Sequence, residues 1–259
     1  MADIAEEGHL PRGLLFDNSM QAVAGAVETV KTMATGGAGT EVPGVLQKPL
    51  EDVKPFYERV CAGCVNADSS TKTFVRQDYD EKCEHGVNLV INSFFQQWHI
   101  ATAMAAYFEN DTVALPGCAK FLKTAASRAK ADALQFLDYQ NMRGGKVVLA
   151  SIAQPDSDYG KEAKGDALHA FQLLLALSKM SFSQLRELHA SAREKEDPEL
   201  QDFVNTKLHE LALATREMGS YVCELERVGK GLPTFHFDRR IEKRHGLVLS
   251  ATVKLPVAV

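Results

Sequence analysis

Cys61-Ala-Gly-Cys64 is the spacing in this chain that most directly suggests chemistry. Two thiols so placed can cycle between dithiol and disulfide or supply half of a zinc site. Zinc would need a second pair, and Cys83, Cys118 and Cys223 stand alone, so two ordinary thiols are the plainer reading. The histidines His85, His99, His169, His189 and His209 are spread along the chain, and no His-x-x-x-His puts two imidazoles on one helix face. His99 follows Trp98 and reads as a structural histidine. Arg239-Arg240 and Lys243-Arg244-His245 form a short basic cluster, read as a solvated face or a contact for an acidic neighbour. Against it stands a net charge of −5, which argues against nucleic acid as a partner.

These residues need elements to hold them. In 259 residues, 45% hydrophobic and 24% charged, there is enough apolar material for a packed core. No apolar run reaches the roughly 20 residues of a membrane-spanning helix. Five cysteines do not make a secreted disulfide framework, and the acidic Met1-Ala-Asp-Ile-Ala-Glu-Glu resembles neither a secretory signal nor a transit peptide.

The patterning divides the chain into an N-terminal extension over residues 1–70, a helical region over 71–230 and a C-terminal part over 231–259. Short helices are expected over 21–33 and 49–60, the second with Leu50, Val53 and Phe56 on one stripe. Four long patterns follow. Val87, Ile91, Phe94, Trp98, Ala101, Ala105 and Phe108 step alternately by four and three, which is the seam of a bundle helix. A second seam runs Leu115, Ala119, Leu122, Ala126, Ala129, Ala133 and Phe136, with Thr112 as expected N-cap and Arg143-Gly144-Gly145 as stop. After a connection over 146–164, opened by the β-prone Val147-Val148-Leu149, come Leu168, Phe171, Leu175, Ser178, Phe182, Leu185 and Ala192. Asp197-Pro198 then caps a fourth pattern through Leu200, Val204, Leu208, Leu211, Thr215, Met218, Val222 and Leu225. Two helices, a long crossover and two more helices predict an all-α four-helix bundle. In the tail, Leu247, Leu249, Val253, Leu255 and Val257 alternate as in a strand, which would need a partner surface.

Several segments carry a resemblance. Tyr139-Gln-Asn-Met-Arg-Gly-Gly-Lys-Val147, Tyr107-Phe-Glu-Asn-Asp-Thr-Val-Ala-Leu115 and Glu196-Asp-Pro-Glu-Leu-Gln-Asp-Phe203 resemble ferritins. Lys164-Gly-Asp-Ala-Leu-His-Ala170, Arg227-Val-Gly-Lys-Gly231 with His236-Phe-Asp238, and Gly44-Val-Leu-Gln-Lys-Pro-Leu-Glu-Asp-Val-Lys54 resemble the plant and algal plastid branch. The resemblance implies a ferritin-like bundle with a short C-terminal helix, a hollow shell built with other ferritin subunits, iron as cofactor and cargo, a plastid location, and a di-iron ferroxidase centre in each catalytic subunit.

Residue by residue, that centre does not carry over. Phe94 stands where the first-helix Glu belongs and Ala101 where a Tyr belongs. Ala129 and Asp132 replace the Glu-x-x-His pair, Ser178 the third-helix Glu, and Leu211 the fourth-helix Gln, while the neighbouring Glu210 matches. The seams put Phe94, Ala129, Ser178 and Leu211 inward on their own account. Ser127-Arg-Ala-Lys-Ala131 is basic where the family is acidic. Asp202 matches a channel carboxylate, Asn205 replaces its Glu partner, and the chain is one residue short between Lys207 and Glu210. The expected function is therefore a structural, co-assembling subunit of an iron-storage shell without ferroxidase activity. The alternatives are a ferritin-derived scaffold in another assembly, and a metal-binding oxidase with relocated ligands such as Asp132, Glu210 and His99.

Overall fold

The computed structural model describes residues 74–156, 158–160 and 165–252, with side chains up to residue 244. The expected helices over 21–33 and 49–60, the Cys61/Cys64 pair and residues 253–259 lie outside the described residues. The described residues form five helices: α1 Glu81–Glu109, α2 Pro116–Met142, α3 Asp166–Glu194, α4 Pro198–Val228 and α5 Leu232–Thr252. Among the described residues there is no strand. α1 packs along α2, α3 along α4, α1 also against α3, and α5 lies on α2.

The helix starts and stops follow local chemistry. The Asp80 side chain accepts from the Lys82 N–H at the head of α1. Asp197 does the same for Leu200 at the head of α4, with Pro198 in the first turn. α2 differs from expectation. It begins at Pro116 after Leu115, not at Thr112, and Leu115 provides no side-chain cap. The cap comes from α5 instead: Asp238 Oδ1 accepts from the Cys118 N–H at 2.8 Å. Asp238 is only 1% exposed, so the carboxylate meets a buried, unpaired donor at the positive end of a helix. The approach requires Gly117, because a Cβ there would lie 2.0 Å from the Asp238 carbonyl oxygen. At the other end of α2, Arg143 makes a two-point contact with Asp197, at 3.0 and 2.8 Å. That ties the end of α2 to the start of α4.

Among the described residues the crossover pairs with no strand. The amides of α1 take the place of one. Asn88 accepts from the Val148 N–H and donates to the Lys146 carbonyl. Asn92 accepts from the Ala150 N–H and donates to the Val148 carbonyl. Gln96 accepts from and donates to Ala153. Glu84, Asn88, Asn92 and Gln96 recur every four residues, so one polar face of α1 satisfies backbone groups of the crossover that are partly or fully buried.

The alternating pattern at the C-terminus is helical where it is described. α5 runs through residues 247–252, correcting the strand expected there. Lengthening a helix already anchored over its first turns needs no new nucleus, whereas a lone strand would leave its backbone groups unpaired. The basic cluster does part of the anchoring. Arg240 pairs with Glu224, and Arg244 approaches Glu217 at 3.6 Å, so these residues hold α5 to α4.

Candidate functional site

The core divides into two apolar clusters. One holds Ile100 to Phe108 of α1 with Phe121, Phe171, Tyr221 and Phe237, whose rings interlock at 5.1–5.9 Å. The other holds Val87, Ile91, Phe94, Phe136, Leu185 and Leu200. Ala129 is buried yet belongs to neither. Between the clusters lies a cavity of about 290 Å³ whose walls include Phe94, Ala129, Ser178 and Leu211, with Asp132 at its edge. Five positions that the resemblance assigns to one centre therefore converge in space, from all four bundle helices. Ala101, the sixth, is buried in the first cluster and does not line the cavity.

The walls are mostly apolar. Phe121, Leu174 and Met218 add to them, with the polar Thr124, Glu217 and Arg244 also on the lining, and Ser178 turns its hydroxyl onto its own helix, donating to the Leu174 carbonyl at 3.0 Å. Phe94 packs its ring 5.9 Å from Phe136. Gln97 is buried at the wall and accepts from the Ser181 hydroxyl.

Asp132 and Glu210 are brought together, by a residue that sequence reasoning passed over. The Lys207 ammonium lies 3.0 Å from Asp132 and 3.0 Å from Glu210. Lys207 is buried, and the expected seam residues Leu208, Leu211 and Thr215 are only half-buried. No residue from 208 to 217 is fully buried, so α4 turns its apolar stripe partly away from the core along the cavity. Burial pushes the Asp132 carboxyl up, and Glu210 adds to this, with the Lys207 hydrogen bond and charge opposing. Burial works against the Lys207 charge too, but hydrogen bonds to Glu210 and Asp132 outweigh it and hold the ammonium above its ordinary range. The signal that could have revealed Lys207 was its place one turn after Val204 and one turn before Glu210.

The other candidates stand apart. Among the described residues, no three His, Cys, Asp or Glu side chains converge as a metal site, so His99 does not join Asp132 and Glu210. The His99 ring lies 6.3 Å from Trp98. Asp202 is exposed in the early turns of α4, where its carbonyl accepts from Thr206. Within the basic stretch, Lys130 sits 5.3 Å over the Trp98 ring, and Arg128 is at the cavity rim. Cys83 and Cys118 are buried free thiols. Burial pushes Cys83 up to about 11 and Cys118 higher, which keeps both protonated and unreactive.

A bundle of two helix pairs joined by a long crossover, capped by a fifth helix and with its convergent residues at mid-height, defines the ferritin-like class. A family model described as a ferritin-like domain matches residues 84–228. Ferritin-3, chloroplastic, of Glycine max is 38% identical over 205 residues, covering 79% of this chain and 78% of that protein. Ferritin-2, chloroplastic, of the same plant is 31% identical over 244 residues, or 93% of each chain. The crystal structure of ferritin from the multicellular green alga Ulva pertusa matches with a TM-score of 0.65 and 34% identity, over 75% of this chain and 98% of that one. The chain belongs to the ferritin family of iron-storage subunits.

Proposed function

We propose that this chain is a non-catalytic wall subunit of a plastid ferritin shell, co-assembling with catalytic subunits that oxidise the iron. One observation carries the reading. The positions expected to hold two irons line a mostly apolar cavity, and the carboxylates that stand there, Asp132 in place of the histidine and the matching Glu210, already share the ammonium of Lys207. A di-iron centre draws on several carboxylate and imidazole donors. Phe94, Ala129 and Leu211 donate nothing. A metal entering beside Lys207 would meet a resident positive charge in a low-dielectric setting. The donors do not fit a pair of irons, and no step of oxidation runs through this bundle. Iron is then cargo of the assembly, and what this subunit supplies is wall. The chloroplastic relatives support the plastid location.

The test is stopped-flow absorbance of the purified homopolymer after mixing with ferrous iron and air. We expect no oxidation faster than the buffer blank. A fast, saturable phase at a few irons per subunit would sink the reading. Particle mass with and without iron loading separates a shell wall from a scaffold in some other assembly. A shell that gains mass on iron loading only when catalytic subunits are present supports the wall role.

A further inference from the structure

We propose that the cavity between the two apolar clusters is a binding site for a medium-chain carboxylate, with its hydrocarbon tail inside and its head group at the Arg128 rim. This goes beyond the wall role and does not depend on it. The volume sets the size: about 290 Å³, at roughly 30 Å³ per water-sized group, holds about ten non-hydrogen atoms. Phe94, Phe121, Leu174 and Leu211 give that volume an apolar lining from four different helices. Burying the tail removes apolar surface from water at little cost, because the polar side chains of the lining are already engaged: Thr124 and Ser178 donate to their own helices, and Gln97 accepts from Ser181.

The rim decides the head group. Among the described residues, four charged side chains lie around the cavity: Arg128, Asp132, Glu217 and Arg244. Asp132 is taken by Lys207 at 3.0 Å. Glu217 accepts from the Tyr221 hydroxyl at 3.0 Å and faces Arg244 at 3.6 Å. Arg128 makes no hydrogen bond or ion pair among the described residues, and its charge reaches Asp132 only as a longer-range field. The charge left over at the mouth is a guanidinium, whose planar fork matches a carboxylate with two parallel N–H donors. A neutral apolar molecule would leave that fork unused, and a cationic head would be repelled by it. Eight to ten carbons is thus about the length that fills the volume and leaves the carboxylate at Arg128.

Isothermal titration calorimetry of the assembled, full-length protein with decanoate tests this. The expected result is saturable binding of one decanoate per subunit. Ala129→Phe fills the cavity from a buried position and should abolish the heat. Arg128→Ala should raise Kd at least tenfold. Should Ala129→Phe fail to assemble, Leu211→Trp blocks the same space from a half-buried position. Wild-type protein that shows no saturable heat overturns the proposal, and so does binding that survives the cavity-filling variants. Binding seen only after deletion of residues 247–259 also overturns it, because the cavity would then belong to the chain's own apolar tail.

Discussion

The ammonium of Lys207 replaces, in charge if not in kind, a cation that two carboxylates would otherwise require. Taking it away exposes the cost of the arrangement. Lys207→Met keeps the length of the side chain but leaves Asp132 buried without its partner. We expect a loss of about 2 kcal/mol, below the range for a fully buried pair because Asp132 is partly reached by water. The pH dependence has a definite sign. The Asp132 pKa is raised in the folded state, mainly by burial, and loss of the ammonium raises it further. A raised folded pKa means stability present below the unfolded value and lost as pH climbs through the folded one. The variant should therefore weaken progressively from about pH 4 upward, while the double variant Asp132→Asn, Lys207→Met should show no such slope. Thermal melts across that range read the difference. A flat profile for Lys207→Met would mean that Asp132 is ionised and well solvated without the lysine. In the wild type, the raised Lys207 pKa places the loss of its contribution at alkaline pH, above its ordinary value.

At the scale of elements, two long-range contacts do what local sequence usually does. α2 lacks a cap of its own and borrows Asp238 from α5. Asp238→Ala should cost about 1–2 kcal/mol, the usual worth of an N-cap, and Asp238→Asn much less, since an amide oxygen can still accept. Gly117→Ala should cost more than either, because backbone rather than a flexible side chain stands in the way of the new Cβ. Chemical denaturation ranks the three. Likewise the crossover pairs with no strand among the described residues, and amides along it are held by Asn88, Asn92 and Gln96. Asn92→Leu leaves the Ala150 N–H and the Val148 carbonyl without their side-chain partner. Hydrogen exchange at Ala150 should accelerate while α1 itself stays protected. Unchanged exchange there would show that the amide contact does not hold the segment.

For the whole molecule, the surface tells what a single copy leaves unfinished. Leu149 is 61% exposed and Ile152 44%, both on the crossover, although a bundle helix lies beside them that could have taken apolar side chains. In a family that forms shells, exposed apolar residues of this kind are the ones to test as subunit contacts. Leu149→Asp with Ile152→Asp should lower the particle mass measured by light scattering and leave far-UV circular dichroism unchanged. A full-size particle from that variant would remove the crossover from the list of assembly contacts. Deleting residues 247–259 should also weaken assembly, and light scattering of the truncated protein decides whether the tail takes part.

What sequence alone determined was most of what periodicity and local caps govern. The four helices, the Asp197-Pro198 start, the Gly144 stop and the two-pair topology follow from neighbours within a turn or two, and the structure has them in place, although the fourth seam is buried only towards its two ends. Residues 94, 129, 178 and 211 were also legible as facing one another, because each sits on an inward seam. Tertiary structure decided what no local rule encodes. Lys207 falls just off the apolar seam of α4, so its burial depends on how α4 turns along the cavity and on Asp132 across the bundle, 75 residues away in sequence. The cap on α2 comes from Asp238, 120 residues away. The alternation after Leu247 reads as a strand only until the helix before it is anchored by Asp238, Arg240 and Arg244, after which continuing the helix costs less than starting anew. The cavity itself is a property of volumes summed over four helices, and it arises where small or half-turned side chains meet rather than at any one residue.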